Sequence, residues 1–341
     1  INDQESVSTT PGFTGNTYAE ILDETTIGTF SVDSDSSVLN NTLDFKRSSN
    51  GDESNNNIGA YILNVEMNAG EHTFTSISAY LEYDFQEVCD CDFTGADLFT
   101  VDLLEDYSQF SQELRWVSPA GGRFEYIGGL YYQTSDLKFF DSINVRTDTI
   151  PDLINLADAA GAGERGELFD GIGDAGDELR DFGTPRNFTT EAELYTAFLQ
   201  STMKMSDNLR LTLGGRFSYE KKEGSRSLDY SFLSTGESRP IGEVDTAAAV
   251  SFKAERHDLN GSFSENSFSP SINLQWDIGD AHMAYATLTK GFKAGGFDAR
   301  SNASPELEEI RPLQNPNRTL TIQGSFQFGS CYFLLFGRQA L

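Results

Sequence analysis

Stretches of alternating hydrophobicity in this chain are joined by connections that are in turn very short and very long, a regularity that few folds produce. Eight stretches place apolar residues at every second position, at about 58–68, 72–84, 106–118, 123–139, 187–205, 208–222, 266–278 and 282–293, and each predicts a β-strand. In 208–222, Leu209, Leu211, Leu213, Phe217 and Tyr219 fall on one face, with Arg210, Thr212, Arg216, Ser218 and Glu220 on the other. The joins "AGE" (69–71), "PAGG" (119–122), "SD" (206–207) and "GDA" (279–281) read as hairpin turns. Between them, 85–105, 140–186 and 223–265 run to about 21, 47 and 43 residues, against a usual connection of roughly 4–6. Turns at one rim and long loops at the other are the arrangement of an outer-membrane barrel, with turns toward the periplasm and loops outside. A soluble sandwich has no reason to sort its loops in this way.

Charge follows the same partition. Residues 1–57 and the three long connections hold 35 acidic and 10 basic residues, which places about −25 of the net −29 outside the strands. Lipid-facing strands should lack charge, whereas loops carry it freely. The acidic balance also sets nucleic acid aside as a partner, since no cluster of Lys and Arg is available for phosphate. The longest uninterrupted apolar run, Cys331 to Phe336, is far short of the roughly 20 residues of a membrane-spanning helix, so any span must be made of strands. Three cysteines are too few to staple a chain of this length. Trp116 and Trp276 each precede a short turn on the apolar face of their strand, as an interfacial girdle would require.

The fold class expected is therefore all-β, a transmembrane antiparallel up-and-down barrel. The strands, at about 11–19 residues, exceed the roughly 9–11 that cross a bilayer, so they project beyond it on the loop side. Glu113, Arg115, Arg210, Arg216 and Glu220 point inward on this pattern and are the candidate substrate-binding side chains of a wide, wet lumen. A barrel of eight strands has an interior filled by side chains, so about eight strands with this much inward charge form part of a larger barrel.

Two stretches carry a resemblance. "FSQELRWVSPAGGRFEYIGGLYY" (110–132) and "AYATLTKGFKAGGFDARSN" (284–302) resemble the TonB-dependent outer-membrane receptors. The resemblance implies a 22-stranded barrel in a Gram-negative outer membrane, with outer-membrane lipid around it. It also implies uptake of a scarce nutrient such as a ferric siderophore, and a TonB system acting through a plug domain. No plug-like segment is recognisable before residue 58, so the chain is expected to be a barrel portion without a plug. Within the second motif, Lys290, Gly291, Phe292, Lys293, Gly295, Gly296 and Phe297 read as a strand leaving the membrane, with glycines that let the backbone bend, a structural role. The division expected is 1–57 an acidic extracellular loop region, 58–300 barrel strands and loops, and 301–341 a loop and an atypical or truncated end. In that last part "TLTIQGSFQF" (319–328) alternates and "GSCYFLLFGRQAL" does not.

Other motifs point nowhere chemical. "GAGERG" (161–166) has acidic surroundings and no preceding buried strand, which sets dinucleotide binding aside. "CDCD" (89–92) is open to a cation, a local disulfide or, by default, a solvated loop. "GELFDGIGDAGDELRD" (166–181) lacks EF-hand spacing and reads as a solvated loop. His72, His257 and His282 lie far apart and form no metal or catalytic group. No enzyme and no cofactor are expected. The alternatives to a receptor are a passive porin or surface adhesion barrel, and a soluble β-sheet binding module.

Overall fold

The computed structural model describes residues 51–91, 97–159, 175–279, 282–302, 320–328 and 331–336. They form one antiparallel sheet whose main path follows chain order: β1 (Glu53–Ala69), β2 (His72–Cys89), β3 (Thr100–Val117), β4 (Phe124–Val145), β6 (Arg186–Ser206), β7 (Leu209–Leu228), β9 (His257–Asp277), β10 (His282–Lys290), β11 (Leu320–Phe328) and β12 (Cys331–Phe336). Two-residue strands β5 (Phe182–Gly183) and β8 (Ser231–Phe232) pair beside β4 at the long-loop end. The helices are α1 (Thr149–Ala159) and α2 (Glu243–Phe252), both in long connections. None is long and apolar enough to cross a membrane.

All four turns expected from the sequence join neighbouring strands, and the up-and-down order holds along the whole path. Two corrections follow. The path has ten strands rather than about eight, because 320–328 and 331–336 pair with each other and with β10. "CYFLLF" lacks alternation yet is strand, so backbone pairing overrides the side-chain period there. Strands β1 to β9 on this path are also longer than their alternation suggested, at 17–22 residues, and β1 takes in residues 53–57 of the expected acidic loop region. Both ends of each long connection are therefore strand, continuing the sheet beyond the apolar band.

Register aligns the apolar residues into one continuous face. Leu114 pairs with Leu130, Phe217 with Phe268, and Leu213 with Ile272. Among the described residues nothing covers this face: Leu63, Leu114, Leu130, Leu199, Leu213 and Phe268 are all exposed. A soluble antiparallel sheet buries its apolar face, whereas a barrel turns it to lipid. Aromatic rings fringe the band at both ends. Near the short turns, Trp116 stacks with Phe74 at 5.5 Å and meets Tyr126 edge-on at 5.6 Å. Toward the loops lie the pairs Tyr61–Tyr80 and Tyr132–Tyr195. Two such belts are what the water interfaces of a membrane select.

The buried core is not between sheets but in the loops. Val145, Leu179, Phe182, Tyr230, Val244 and Ala247 pack into one cluster that draws on the β4–β6 and β7–β9 connections, with Phe99 of the β2–β3 connection against it. This corrects the solvated-loop reading of "GELFDGIGDAGDELRD" for its described part: Leu179 is completely buried in a 3-10 turn, while 166–174 lie outside the described residues. "GAGERG" lies outside them as well. "CDCD" is corrected too, since Cys89 and Cys91 form a disulfide and Asp90 is buried.

Candidate functional site

The polar face is the other side of the sheet. Arg115 donates through Nε to Glu113 Oε1 at 2.8 Å, and Glu220 pairs with Lys222 at 2.8 Å. Arg210 is ion-paired with Asp277, and Arg216 donates to Ser218 Oγ at 3.3 Å. The five charged residues expected to face inward thus share a face, but the fold spreads them along it in separate pairs. Between them run hydroxyl and amide rungs: Thr202 with Thr212 at 2.9 Å, Thr196 with Ser218 at 3.0 Å, and Asn273 with Thr287 at 2.6 Å. Such a wall suits water and polar solute. Among the described residues no group of His, Cys, Asp and Glu is arranged to hold a metal ion.

Near the loop end the same face carries further side chains, of which the sequence singled out only His257. Successive rungs bring together Asp141, Arg186, Leu228 and His257, then Phe139, Phe188, Arg226 and Leu259, then Gly224 beside Gly261. Arg186 grips Asp141 through two nitrogens, and both are buried. Such a fork-to-carboxylate pair out of water is held only because each charge satisfies the other. Burial lowers the pKa of Arg226, with Arg186 adding to the effect and Asp298 opposing it. These positions escaped notice because 186 and 226 fall in what alternation marked as loops, where a lone arginine carries no signal.

Across this wall lies the stretch after β10. Residues 294–302 fold back over the polar face of β9, β7, β6 and β4 instead of leaving it. Lys222 Nζ donates to Gly295 O at 3.0 Å, Arg226 Nη1 to Asp298 O at 2.9 Å, and Arg186 Nη1 to Asn302 Oδ1 at 2.7 Å. Phe297 meets Phe263 edge-on at 5.5 Å and lies over Gly224, where an added Cβ would come within 2.8 Å of its ring. Asn302 then joins the loop core: its Nδ2 donates to Phe252 O at 3.2 Å and its carbonyl accepts from Glu255 N at 2.9 Å. Of the family motif, Lys290 ends β10, Gly295 is buried against the wall and Phe297 anchors the strap, while Gly291, Phe292 and Lys293 are exposed. Gly296 has open space around it.

A cavity of about 500 Å³ lies higher on β1–β4, lined among others by Gly59, Glu82, Asp84, Asp106 and Lys138. Its lining carries four carboxylates and one lysine.

The family model for TonB dependent receptor-like β-barrels matches residues 5–328. No curated protein matches the chain. The crystal structure of the ferric yersiniabactin uptake receptor FyuA from Yersinia pestis is similar at 14% identity and a TM-score of 0.55, covering 82% of this chain and 35% of its own. The siderophore receptor PiuA from Acinetobacter baumannii aligns at 13% identity and a TM-score of 0.40, over 81% of this chain and 38% of that one. The chain therefore spans little more than a third of the length of either solved receptor. An apolar face fringed by aromatic belts, a polar opposite face, loops sorted to one end and the family match agree, and the chain belongs to the TonB-dependent receptor β-barrel family.

Proposed function

We propose that this chain forms the wall and outer loops of a receptor in the outer membrane of a Gram-negative bacterium, which takes up a scarce nutrient of the ferric siderophore class. The observation that carries this reading is the polar face: it is lined along its length by paired charges and hydroxyl rungs, and it leads to a loop end built as a packed body rather than as free coil. Glu113, Arg115, Arg210, Arg216 and Glu220 are the lumen-facing candidates for contact with a passing ligand or with a plug. The likeness to a ferric yersiniabactin receptor supports the siderophore class. The reading requires a plug domain through which TonB delivers work from the inner membrane. The acidic loops disfavour highly anionic cargo unless cations bridge it, an effect weakened by screening beyond roughly 8 Å at physiological salt. Catalysis has no part in this reading.

The test is accumulation of radioactive iron from a panel of ferric siderophores, in a Gram-negative host stripped of its own siderophore receptors and carrying the whole receptor. Uptake of one complex that stops when the proton gradient is collapsed supports the proposal. Uptake indifferent to the gradient means a passive pore, and surface binding without accumulation means an adhesion barrel.

A further inference from the structure

The strap 294–302 is fastened by cations donating to its own backbone, and one of those cations leans on a titratable group. Arg226 donates through Nη1 to Asp298 O and through Nε to His257 Nε2, at 3.1 Å. That second bond needs a lone pair on Nε2. His257 Nδ1 lies 2.8 Å from Glu255 O and supplies the imidazole's one proton there. A proton on Nε2 would set two N–H groups and two positive charges face to face. Arg226 would then have to turn, and its hold on Asp298 would go with it.

We propose that His257 is a pH-responsive pin, neutral when the strap is fastened across the receptor's inner wall and releasing it when protonated. The surroundings work in one direction. Arg226 on β7 and Arg186 on β6 both face the imidazole, and the carboxylate of Asp141 on β4 is already taken by Arg186. From the strap, Asp298 Oδ2 stands 3.7 Å from Arg226, and from the histidine's own stretch Glu255 contributes an opposing attraction. Asp258, its neighbour in sequence, falls on the opposite face of β9. Burial comes first in pushing the His257 pKa below its ordinary value, and the two guanidiniums add to it. The fastened state therefore prefers neutral imidazole. Its stability is fully present above about pH 6.5 and is lost as pH falls through the lowered value. Release would uncover the notch of Gly224 and Gly261 and slacken the link from Asn302 to the C-terminal end of α2. The inference concerns a moving part of the wall and stands whichever nutrient the receptor carries.

The test places a single cysteine at Gly261, where an added Cβ meets the Phe297 ring at 3.4 Å, an ordinary contact. The whole receptor is used in outer-membrane preparations, with Cys89, Cys91 and Cys331 replaced. Labelling by a charged maleimide is measured at about pH 7.5 and about pH 5, which bracket the ordinary imidazole pKa of about 6.5. Rates are normalised at each pH to Ile241→Cys, an exposed site on the loop body that corrects for thiol chemistry. A several-fold rise at acid pH is expected with His257 present. His257→Gln, whose amide oxygen accepts from Arg226 without titrating, should stay slow at both values. Arg226→Gln and Phe297→Ala should label fast at both. A flat profile with His257 present overturns the proposal, and so does an acid rise that persists in His257→Gln. Leu103→Cys, buried in the cluster against which Phe297 and Ala299 pack, reads the same opening should Gly261→Cys fail to assemble.

Discussion

The Arg256 guanidinium lies 4.3 Å from the centroid of the Tyr230 ring, and the Tyr230 hydroxyl donates to Ala254 O at 2.8 Å, beneath a lid of charge. Arg256 is itself held by Asp229 and by Asp245, at 2.8 Å to the latter, so one arginine ties the entry and exit of α2 to the body it packs on. Burial pushes the Tyr230 hydroxyl up to about 12, in keeping with a group shut off from water. Truncating Tyr230 to alanine removes a fully buried ring and should cost the loop body about 3–5 kcal/mol. Tyr230→Phe should cost about 1–3 kcal/mol through the unmatched carbonyl. Protease nicking of the loops against urea should show both losses, while the circular-dichroism signal of the strands stays unchanged.

On the sheet, sidedness can be measured as energy. Arginine at Leu213, on the bare apolar face, should destabilise the folded barrel by about 2–4 kcal/mol, as charge in mid-bilayer does. Arginine at Thr212, one residue along and facing the lumen, should be tolerated. Urea midpoints of the heat-modifiable gel band separate the two, and equal effects would mean that the apolar face does not meet lipid.

Gly129 marks a close approach of strands on the polar face. A Cβ there would sit 2.4 Å from Leu114 O and 2.7 Å from Phe198 Cζ. Gly129→Ala should therefore cost about 1–3 kcal/mol by overpacking. Gly296→Ala, with open space around it, is the control and should be close to neutral in the same gel assay.

Acid should weaken the loop body through Asp177. Its bond from Arg180 comes first in lowering its pKa, burial opposes it, and a bond from Asn155 lowers it further. A carboxyl lowered on folding contributes stability above its unfolded pKa of about 3.9, and that contribution vanishes as pH falls through the lowered value. Asp177→Asn should thus be less stable than the native body at neutral pH and equal to it in strong acid. A gap in loop-nicking midpoints that persists unchanged into strong acid would refute this.

Sidedness was legible because a period of two in the sequence is a period of two in space: Leu213 and Arg216 fall on opposite faces whatever else the chain does. Loop sorting was legible because turn length is written directly in the sequence. The loop body was not. Leu179 and Phe182 are isolated apolar residues in an acidic stretch and Tyr230 lies in a short mixed one, and they become a core only when two connections meet with Phe99 of a third. His257 looked idle for the same reason, since its partner Arg226 is 31 positions away and brought to it by strand register. The strand at 331–336 was hidden by its uninterrupted apolar run, in which alternation has nothing to show.

Because three separate connections share one core, these loops cannot vary one at a time. A change in the β7–β9 connection that enlarges α2 must be answered at Leu179 or Phe182, far away in the gene. Variants would then inherit these loops as a set, and grafting a single loop from a relative would strand its neighbours without their packing partners.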